Sequence, residues 1–296
     1  MPTITSIHHI SAMVGDVNEN IHFYRDLLGL KLVKQTVNFD DPSHYHLYYS
    51  SPHNHQGLLT FFPLGNSKAG QIGSGQVGRI ALSVPKNALD FWRQKLKKAN
   101  IAFQENQWGT KPALFFSDLD NLDIALVATS DKSQNPSITG LHGSYLLSSN
   151  YKASQEFLQK NLGLAPAFED GLTISFTFKS DSEQEIIIPK VNYQRGEMGS
   201  GTVHHIAWLV NDLEELKAKQ TQLTDQGFNV TVIRDRKYFQ SIYLREPGKV
   251  IFEFATKVPG LTVDEAVDSL GQNLQLPSRL EQKRQQLIQN LEPLDL

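Results

Sequence analysis

The feature that most constrains the fold of this chain is a strand-like segment that occurs twice. Residues 7–14 read Ile-His-His-Ile-Ser-Ala-Met-Val, and residues 203–210 read Val-His-His-Ile-Ala-Trp-Leu-Val. Each segment begins with a histidine pair close to its start and continues as an apolar run. Equivalent positions of two copies of a repeat come together across a pseudo-symmetry axis, and neutral imidazole is a common metal ligand. The echo therefore predicts a repeated structural unit and a metal site between two copies.

Around these segments the hydrophobic pattern repeats in one order: a strand, an amphipathic helix and three further strands. The turn Asn-Leu-Gly-Leu at residues 161–164 echoes Leu-Leu-Gly-Leu at residues 27–30, so a glycine ends two of the helices. The order predicts four βαβββ modules, which begin with strands near residues 4, 76, 138 and 202, continue with helices over residues 16–28, 87–99, 151–162 and 212–226, and close with strands over residues 57–63, 121–128, 185–189 and 249–256. In the fourth module, residues 229–234 are predicted to form the strand after the helix.

This order predicts an α+β fold in which the four modules form two paired half-barrels with a C-terminal helical tail. A polar run at residues 130–137 divides the chain, so we expect an N-terminal domain over residues 1–130 and a C-terminal domain over residues 138–258, each of two modules. Only the first and fourth modules carry histidine pairs, and these two are expected to share one curved sheet. The tail, residues 259–296, is expected to form surface helices at Val263–Leu270 and Ser278–Asn290; a role in covering a cavity mouth stays open.

Composition narrows the class of partner. The chain has 296 residues, a net charge of -3 and no cysteine. Any metal must therefore take histidine, carboxylate or water ligands, and a reducing compartment is allowed. The chain has no basic run, which argues against nucleic acid or an anionic membrane as partner, and it lacks the roughly 18 consecutive apolar residues of a membrane span. We expect a cytoplasmic enzyme with a small-molecule partner, and leave homo-oligomer formation open.

Comparison of equivalent positions in the modules isolates three candidate ligands. The second histidine of each pair, His9 or His205, aligns with Arg79 in the second module and Gly143 in the third. In the closing strands, Glu253 is the acid that has apolar neighbours on both sides. A carboxylate in an apolar strand costs several kcal/mol unless a cation or hydrogen bonds compensate it. A divalent ion held by two imidazoles and this carboxylate would do so, and that set is typical of non-haem Fe(II) oxygenases.

The alternative is an ion pair of Glu253 with Arg236 or Arg245 and no metal. The first histidines of the pairs, His8 and His204, are expected to point to the opposite face of their strands, because side chains alternate along a strand. They would then be supporting or purely structural groups.

Tyr243 lies ten residues before Glu253, and the turn Glu-Pro-Gly at residues 246–248 separates them. If the hairpin register places both side chains on one face, the phenol could hydrogen-bond the substrate. The alternative is a tyrosine that only packs in the core.

These features resemble the vicinal oxygen chelate superfamily, which includes the glyoxalases and extradiol dioxygenases. Within it the chain is similar to the hydroquinone-type ring-cleaving dioxygenases, and the resemblance covers nearly the whole chain, tail included. It is carried by the segments at residues 4–10, 36–42 with 46–49, and 235–239 with 245–248.

The resemblance implies Fe(II), or Mn(II), bound by His9, His205 and Glu253, and an aromatic substrate cleaved with O2. It also implies catalytic, substrate-contacting or supporting roles for a second group of residues, and leaves the role of Arg236 open. This second group is His8, Ser11, His204 and Tyr243. Two rival functions remain, since fold alone does not fix function: a glyoxalase-like metal-dependent isomerase or lyase, which usually has a fourth protein ligand, and a non-catalytic protein that binds a drug or phenolic compound.

Overall fold

The computed structural model describes residues 4–52, 57–65, 68–180 and 183–296. In these ranges the chain forms two eight-stranded sheets. Their strands are β1 (Ile7–Val14), β2 (Lys31–Val37), β3 (Tyr45–Ser50), β4 (Leu58–Pro63), β5 (Gln76–Val84), β6 (Phe103–Trp108), β7 (Lys111–Ser117), β8 (Asp123–Ala128), β9 (Gly140–Leu147), β10 (Ala165–Glu169), β11 (Thr173–Thr177), β12 (Glu185–Pro189), β13 (Thr202–Val210), β14 (Arg234–Asp235), β15 (Phe239–Arg245) and β16 (Ile251–Pro259).

The prediction that the first and fourth modules share a sheet is confirmed. The first sheet has the order β14-β15-β16-β13-β1-β4-β3-β2, and the second has the order β10-β11-β12-β9-β5-β8-β7-β6. In each sheet two modules meet through antiparallel opening strands, β1 with β13 and β5 with β9. Each curved sheet thus takes one module from either side of residues 130–137, where we propose the domain division.

Each module packs its helix against the sheets, and the helix boundaries follow local sequence signals. The helices are α1 (Val17–Ile21), α2 (Leu89–Lys98), α3 (Tyr151–Phe157) and α4 (Leu213–Asp225), and the tail adds α5 (Arg284–Asn290). The carboxylates of Asp16 and Asp212 accept hydrogen bonds from backbone N–H groups in the first turns of α1 and α4, as N-caps do. After α1 and α3 the chain continues as a π-helix, and Gly29 and Gly163 follow with the same positive φ of 74°. No helix in the described part of the chain is long and apolar enough to cross a membrane.

Apolar residues pack against both faces of the first sheet. One large core holds the helices and both sheets together, and the indole of Trp208, fully buried, contacts the ring of Phe252 there at 5.0 Å between ring centres. A second core lies on the concave face and includes Tyr238, Phe239 and Leu270. Because Leu270 belongs to the tail, the tail covers part of the concave face and completes the half-barrel.

Two predicted elements were wrong. The strand predicted at residues 229–234 is present only as the short strand Arg234–Asp235. Val232 is 75% exposed, and Thr231 contacts β15 without forming a ladder: its backbone N–H donates to the carbonyl of Tyr243, and its hydroxyl accepts from the N–H of Tyr243. The helix at Val263–Leu270 is replaced by two short 3-10 turns, Leu261–Val263 and Val267–Ser269. Between these turns, acidic side chains bind a buried lysine instead of continuing a helix. The predicted helix at Ser278–Asn290 is present, as a 3-10 turn over Ser278–Lys283 followed by α5.

Candidate metal centre

Three neighbouring strands of the first sheet bring the predicted ligands together. His9 lies on β1, His205 on β13 and Glu253 on β16. β1 and β13 pair antiparallel about Ile10 and Ile206, so the two histidines are related by a local pseudo-twofold axis. Glu253 pairs with Ala207, two residues beyond His205 on the adjacent strand. The carboxylate therefore projects on the same face as both imidazoles.

The donor atoms of these residues converge. Nε2 of His9 lies 3.0 Å from Nε2 of His205, and Oε2 of Glu253 lies 3.1 Å and 2.7 Å from these two nitrogens. All three side chains are buried, with exposed fractions of 1%, 4% and 0%. They form the cluster of metal-binding residue types found in the described part of the chain.

A divalent cation fits this set. Both carboxylate oxygens of Glu253 are buried without a well-formed hydrogen bond in the described structure. Two imidazole nitrogens and a carboxylate oxygen pointing at one place are unfavourable without positive charge between them, and N and O donors suit a first-row divalent metal. Burial alone would raise the pKa of Glu253, but the adjacent His9 and His205 hold that pKa well below its usual range. The carboxylate is therefore ionised and available to bind a cation.

The expectation that His8 and His204 face away from the site was wrong. His204 lines the same cavity as His205, and His8 lines the cavity beside it. The reason is a pair of irregularities in the β1–β13 ladder, where one extra residue stands opposite a single partner near His8 and again near His204. At a β-bulge the alternation of side chains breaks, and two consecutive residues turn to one face.

Each of these histidines contacts its neighbouring ligand. Nδ1 of His8 lies 2.8 Å from Nδ1 of His9, and Nδ1 of His204 lies 2.7 Å from Nδ1 of His205. An imidazole that binds a metal through Nε2 carries its proton on Nδ1 and donates it to a nearby acceptor. Burial, followed by the neighbouring ligand histidine, lowers the pKa of both His8 and His204 to about 3. Both stay neutral and can accept this hydrogen bond, which would fix the tautomers of the two predicted ligands.

Tyr243 lies where the hairpin argument required. It pairs directly with Glu253 across β15 and β16, and its ring is 5.7 Å from the ring of His205. The guanidinium of Arg236 lies 5.6 Å from the centre of the Tyr243 ring and also binds Asp40 at 2.9 Å. Burial, and then the charge of Glu253, raise the pKa of Tyr243 well above its usual range. The phenol therefore keeps its proton and can donate it in a hydrogen bond.

The comparison of the four modules in the sequence did not identify Thr60, which occupies the position related to Glu253 by the pseudo-twofold axis. Thr60 pairs with Ser11 across β1 and β4, just as Glu253 pairs with Ala207 across β13 and β16. Its hydroxyl lies 2.7 Å from Oγ of Ser11 and 2.8 Å from Nε2 of His46. Ser11 thus supports this polar group and is not among the residues that line the site cavity. With a hydrogen-bonded threonine in this position, the described residues offer three candidate donors, His9, His205 and Glu253.

The triad lies at the bottom of a cavity of about 330 Å³. Its walls combine aromatic rings with His46, Tyr48, Tyr243 and Arg236, and the aromatic rings are Phe39, Phe62 and Phe239. A planar ring with polar substituents matches such a lining, since binding cavities are mostly apolar with a few placed polar groups.

The second half-barrel has no equivalent centre among the described residues. At the position that aligns with His9, Arg79 binds Asp123 at 3.0 Å and stacks 4.0 Å from the centre of the Phe115 ring. Trp108 and Tyr145 fill the rest of that concave face. This sheet does contain another buried acid, Glu185, but Lys111 neutralises it at 3.0 Å.

Comparisons with known proteins agree with this geometry. A sequence model of the Glyoxalase/Bleomycin resistance protein/Dioxygenase superfamily matches residues 6–126 and 140–254. The chain is 38% identical over 301 residues to "Putative ring-cleaving dioxygenase MhqO" of Bacillus subtilis (strain 168), covering 98% of this chain and 96% of that one. It is 26% identical over 311 residues to the chlorohydroquinone/hydroquinone 1,2-dioxygenase of Sphingobium indicum, covering 97% and 96%. A crystal structure titled "putative dioxygenase", from Bacillus subtilis subsp. subtilis str. 168, matches with a TM-score of 0.93 at 37% identity, covering 100% and 99%.

Proposed function

The chain belongs to the glyoxalase/bleomycin resistance protein/dioxygenase superfamily, and on that premise we propose that it is an Fe(II)-dependent dioxygenase that opens a hydroquinone or related phenolic ring with O2. The observation that carries the proposal is the buried set of His9, His205 and Glu253, three donors that leave the remaining positions of an ion open to substrate and O2. Relatives named as ring-cleaving dioxygenases over nearly the full length support it. Mn(II) is the alternative metal.

Bound in this site, the ion would supply positive charge that favours a phenolate and the redox capacity to use O2. The protein contributes the rest. His8 and His204 hold the tautomers of the ligand histidines, and the aromatic walls exclude water from the ring. The protonated phenol of Tyr243 donates a hydrogen bond to a substrate oxygen, and Arg236 beside it favours negative charge there.

The two rival functions have less support. A glyoxalase-like isomerase usually has a fourth protein ligand, and the position related to Glu253 by the pseudo-twofold holds Thr60, whose hydroxyl is already hydrogen-bonded to Ser11 and His46. A protein that only sequesters phenols would not need three buried ligands with their tautomers fixed.

The direct test is anaerobic loading of the protein with Fe(II), followed by addition of hydroquinones or catechols in an oxygen electrode. We expect one O2 consumed for each ring opened, and less or none with Zn(II). Product formation without oxygen uptake would identify an isomerase or lyase. Stoichiometric binding of the phenol without turnover would identify a binding protein.

Substitution of Tyr243 by phenylalanine tests the proposed hydrogen bond to substrate. We expect Tyr243→Phe to keep its metal and its melting temperature, because only one oxygen is lost from a ring that stays packed. Turnover or substrate affinity should fall by roughly ten- to a hundredfold, as for loss of a hydrogen bond to a charged group worth about 1.5–3 kcal/mol. Metal content, melting temperature and steady-state rates measure these effects.

Tyr193→Phe is the matched control, since Tyr193 is 39% exposed and lies outside the cavity. Wild-type kinetics with lowered stability in Tyr243→Phe would show that Tyr243 only packs.

A further inference from the structure

A second cavity, of about 270 Å³, lies on the concave face beside the metal centre. Strand residues form one side and the start of the tail forms the other. Its lining is largely aliphatic and aromatic, and the aliphatic part is Ile7, Leu58, Leu209, Leu261, Val267 and Leu270. We call it the tail cavity.

The tail cavity is buried at its base and open at its rim. Leu58, Leu270 and Phe239 are at most 5% exposed, whereas Val267 is 55% exposed and Lys257 is also exposed. A small apolar molecule can therefore enter from solvent and move onto an apolar surface. Apolar surfaces inside proteins take up apolar guests such as xenon or benzene.

One layer of side chains separates the tail cavity from the metal centre. The ring of Phe239 lines both cavities. Its centre lies 5.0 Å from the ring centre of His8, which lines the tail cavity, and 5.3 Å from that of the ligand His9. This one ring therefore lies between the two spaces, where its displacement would bring them into contact.

We propose that the tail cavity takes up dioxygen and delivers it past Phe239 to the metal centre. The proposal rests on the proposed function, since it assigns a route to one of the two substrates. A phenolic ring bound in the site cavity would obstruct the opening through which O2 would otherwise approach. The tail cavity gives O2 a separate entrance, which approaches the metal centre from the other side of His9. Its largely apolar lining favours O2 over water and over the phenolic substrate.

Xenon is the probe for the cavity, and the oxygen dependence of the rate tests delivery. We expect crystals of the wild-type protein under xenon pressure to hold xenon in the tail cavity. Leu261→Trp, at a half-buried position on the tail side, should exclude it.

In the Leu261→Trp variant we expect the KM for O2 to rise about fivefold or more, with the KM for hydroquinone and kcat at saturating O2 little changed, since only access is altered. Leu209→Phe fills the cavity from the strand side and should act in the same direction. Leu172→Trp, 68% exposed and outside the tail cavity, is the control.

Absence of xenon from the wild-type tail cavity would overturn the proposal. So would exclusion of xenon by Leu261→Trp or Leu209→Phe with an unchanged KM for O2; this second result would leave the dioxygenase function intact. If the Fe(II)-loaded wild-type protein consumes no oxygen with any phenol, the proposed function fails and the delivery role fails with it.

Discussion

Replacement of Glu253 by alanine should abolish oxygen uptake and remove nearly all bound metal while the fold stays intact. Groups that only orient a metal ligand are worth about 10- to 100-fold in affinity, so loss of a ligand should cost more. The strands that carry the site are held by backbone ladders and by the large core, so the site is preformed, unlike that of a zinc finger, where metal binding and folding are one event. His9→Ala and His205→Ala should behave in the same way.

The matched control is Glu185→Ala. Glu185 is also a buried acid in the closing strand of a module, but it lies in the other sheet and is paired with Lys111. This variant should lose little stability, because the side chain of Lys111 is 30% exposed and water can solvate it, and should keep its full metal content. Metal analysis after dialysis, together with circular dichroism of each variant, separates the two outcomes. Full metal content in any of the three ligand variants would remove that residue from the ligand set.

Much of this architecture is predictable from the sequence because its signals are periodic. The repeated order of strand and helix defines the modules, and the position of the histidine pairs predicts which modules share a sheet. The proposed ligand triad follows from comparing equivalent positions, since Arg79 and Gly143 occupy the position of His9 in the other two modules. These inferences need only the identity of residues and the assumption that the repeats fold alike.

The features that sequence reasoning missed depend on register and on contacts distant in the chain. A bulge arises only when two particular strands pair, so the alternation rule placed His8 and His204 on the wrong face. Thr60 could have been found by applying the pseudo-twofold to β4, which pairs parallel with β1 as β16 pairs parallel with β13, but these pairings are not visible in the sequence. The tail segment at residues 263–270 has a helix-like pattern, yet Asp264 and Glu265 in it bind Lys34 on β2, a partner that local propensity does not reveal.

One buried cation links the start of the tail to the sheet, beside the apolar and hydrogen-bond contacts that the tail makes there. Lys34, on β2, has no exposed side-chain surface, and its ammonium lies 2.7 Å from Oδ1 of Asp264 and in contact with the carboxylate of Glu265. Asp264 has further partners, Lys237 at 2.6 Å and the hydroxyl of Tyr238 at 3.0 Å, whereas the carboxylate of Glu265 depends on Lys34. This cluster anchors the segment that walls the tail cavity.

Lys34→Met should therefore destabilise the folded protein by about 3–5 kcal/mol, because it leaves the buried carboxylate of Glu265 without a cation. The double variant Lys34→Met/Glu265→Met should recover most of this loss, since apolar replacement of a buried ion pair is often neutral or stabilising. Lys68→Met is the control. Its ion pair with Glu197 is exposed, so the effect should stay within about 0.5 kcal/mol. Denaturant unfolding of the four proteins measures these differences.

The contribution of Asp264 to stability should appear in the pH dependence of the free energy of unfolding. Burial would raise the pKa of Asp264, but hydrogen bonds from Lys237 and Lys34 hold it below its usual value of 3.8. A folded-state pKa below the unfolded one means that the stabilisation is present above about pH 4 and is lost as the pH falls through the folded pKa. The stability gap between wild type and Lys34→Met should accordingly narrow in acid. A gap that stays constant down to pH 3, or a double variant no more stable than the single one, would show that the lysine holds the tail by packing and not by charge.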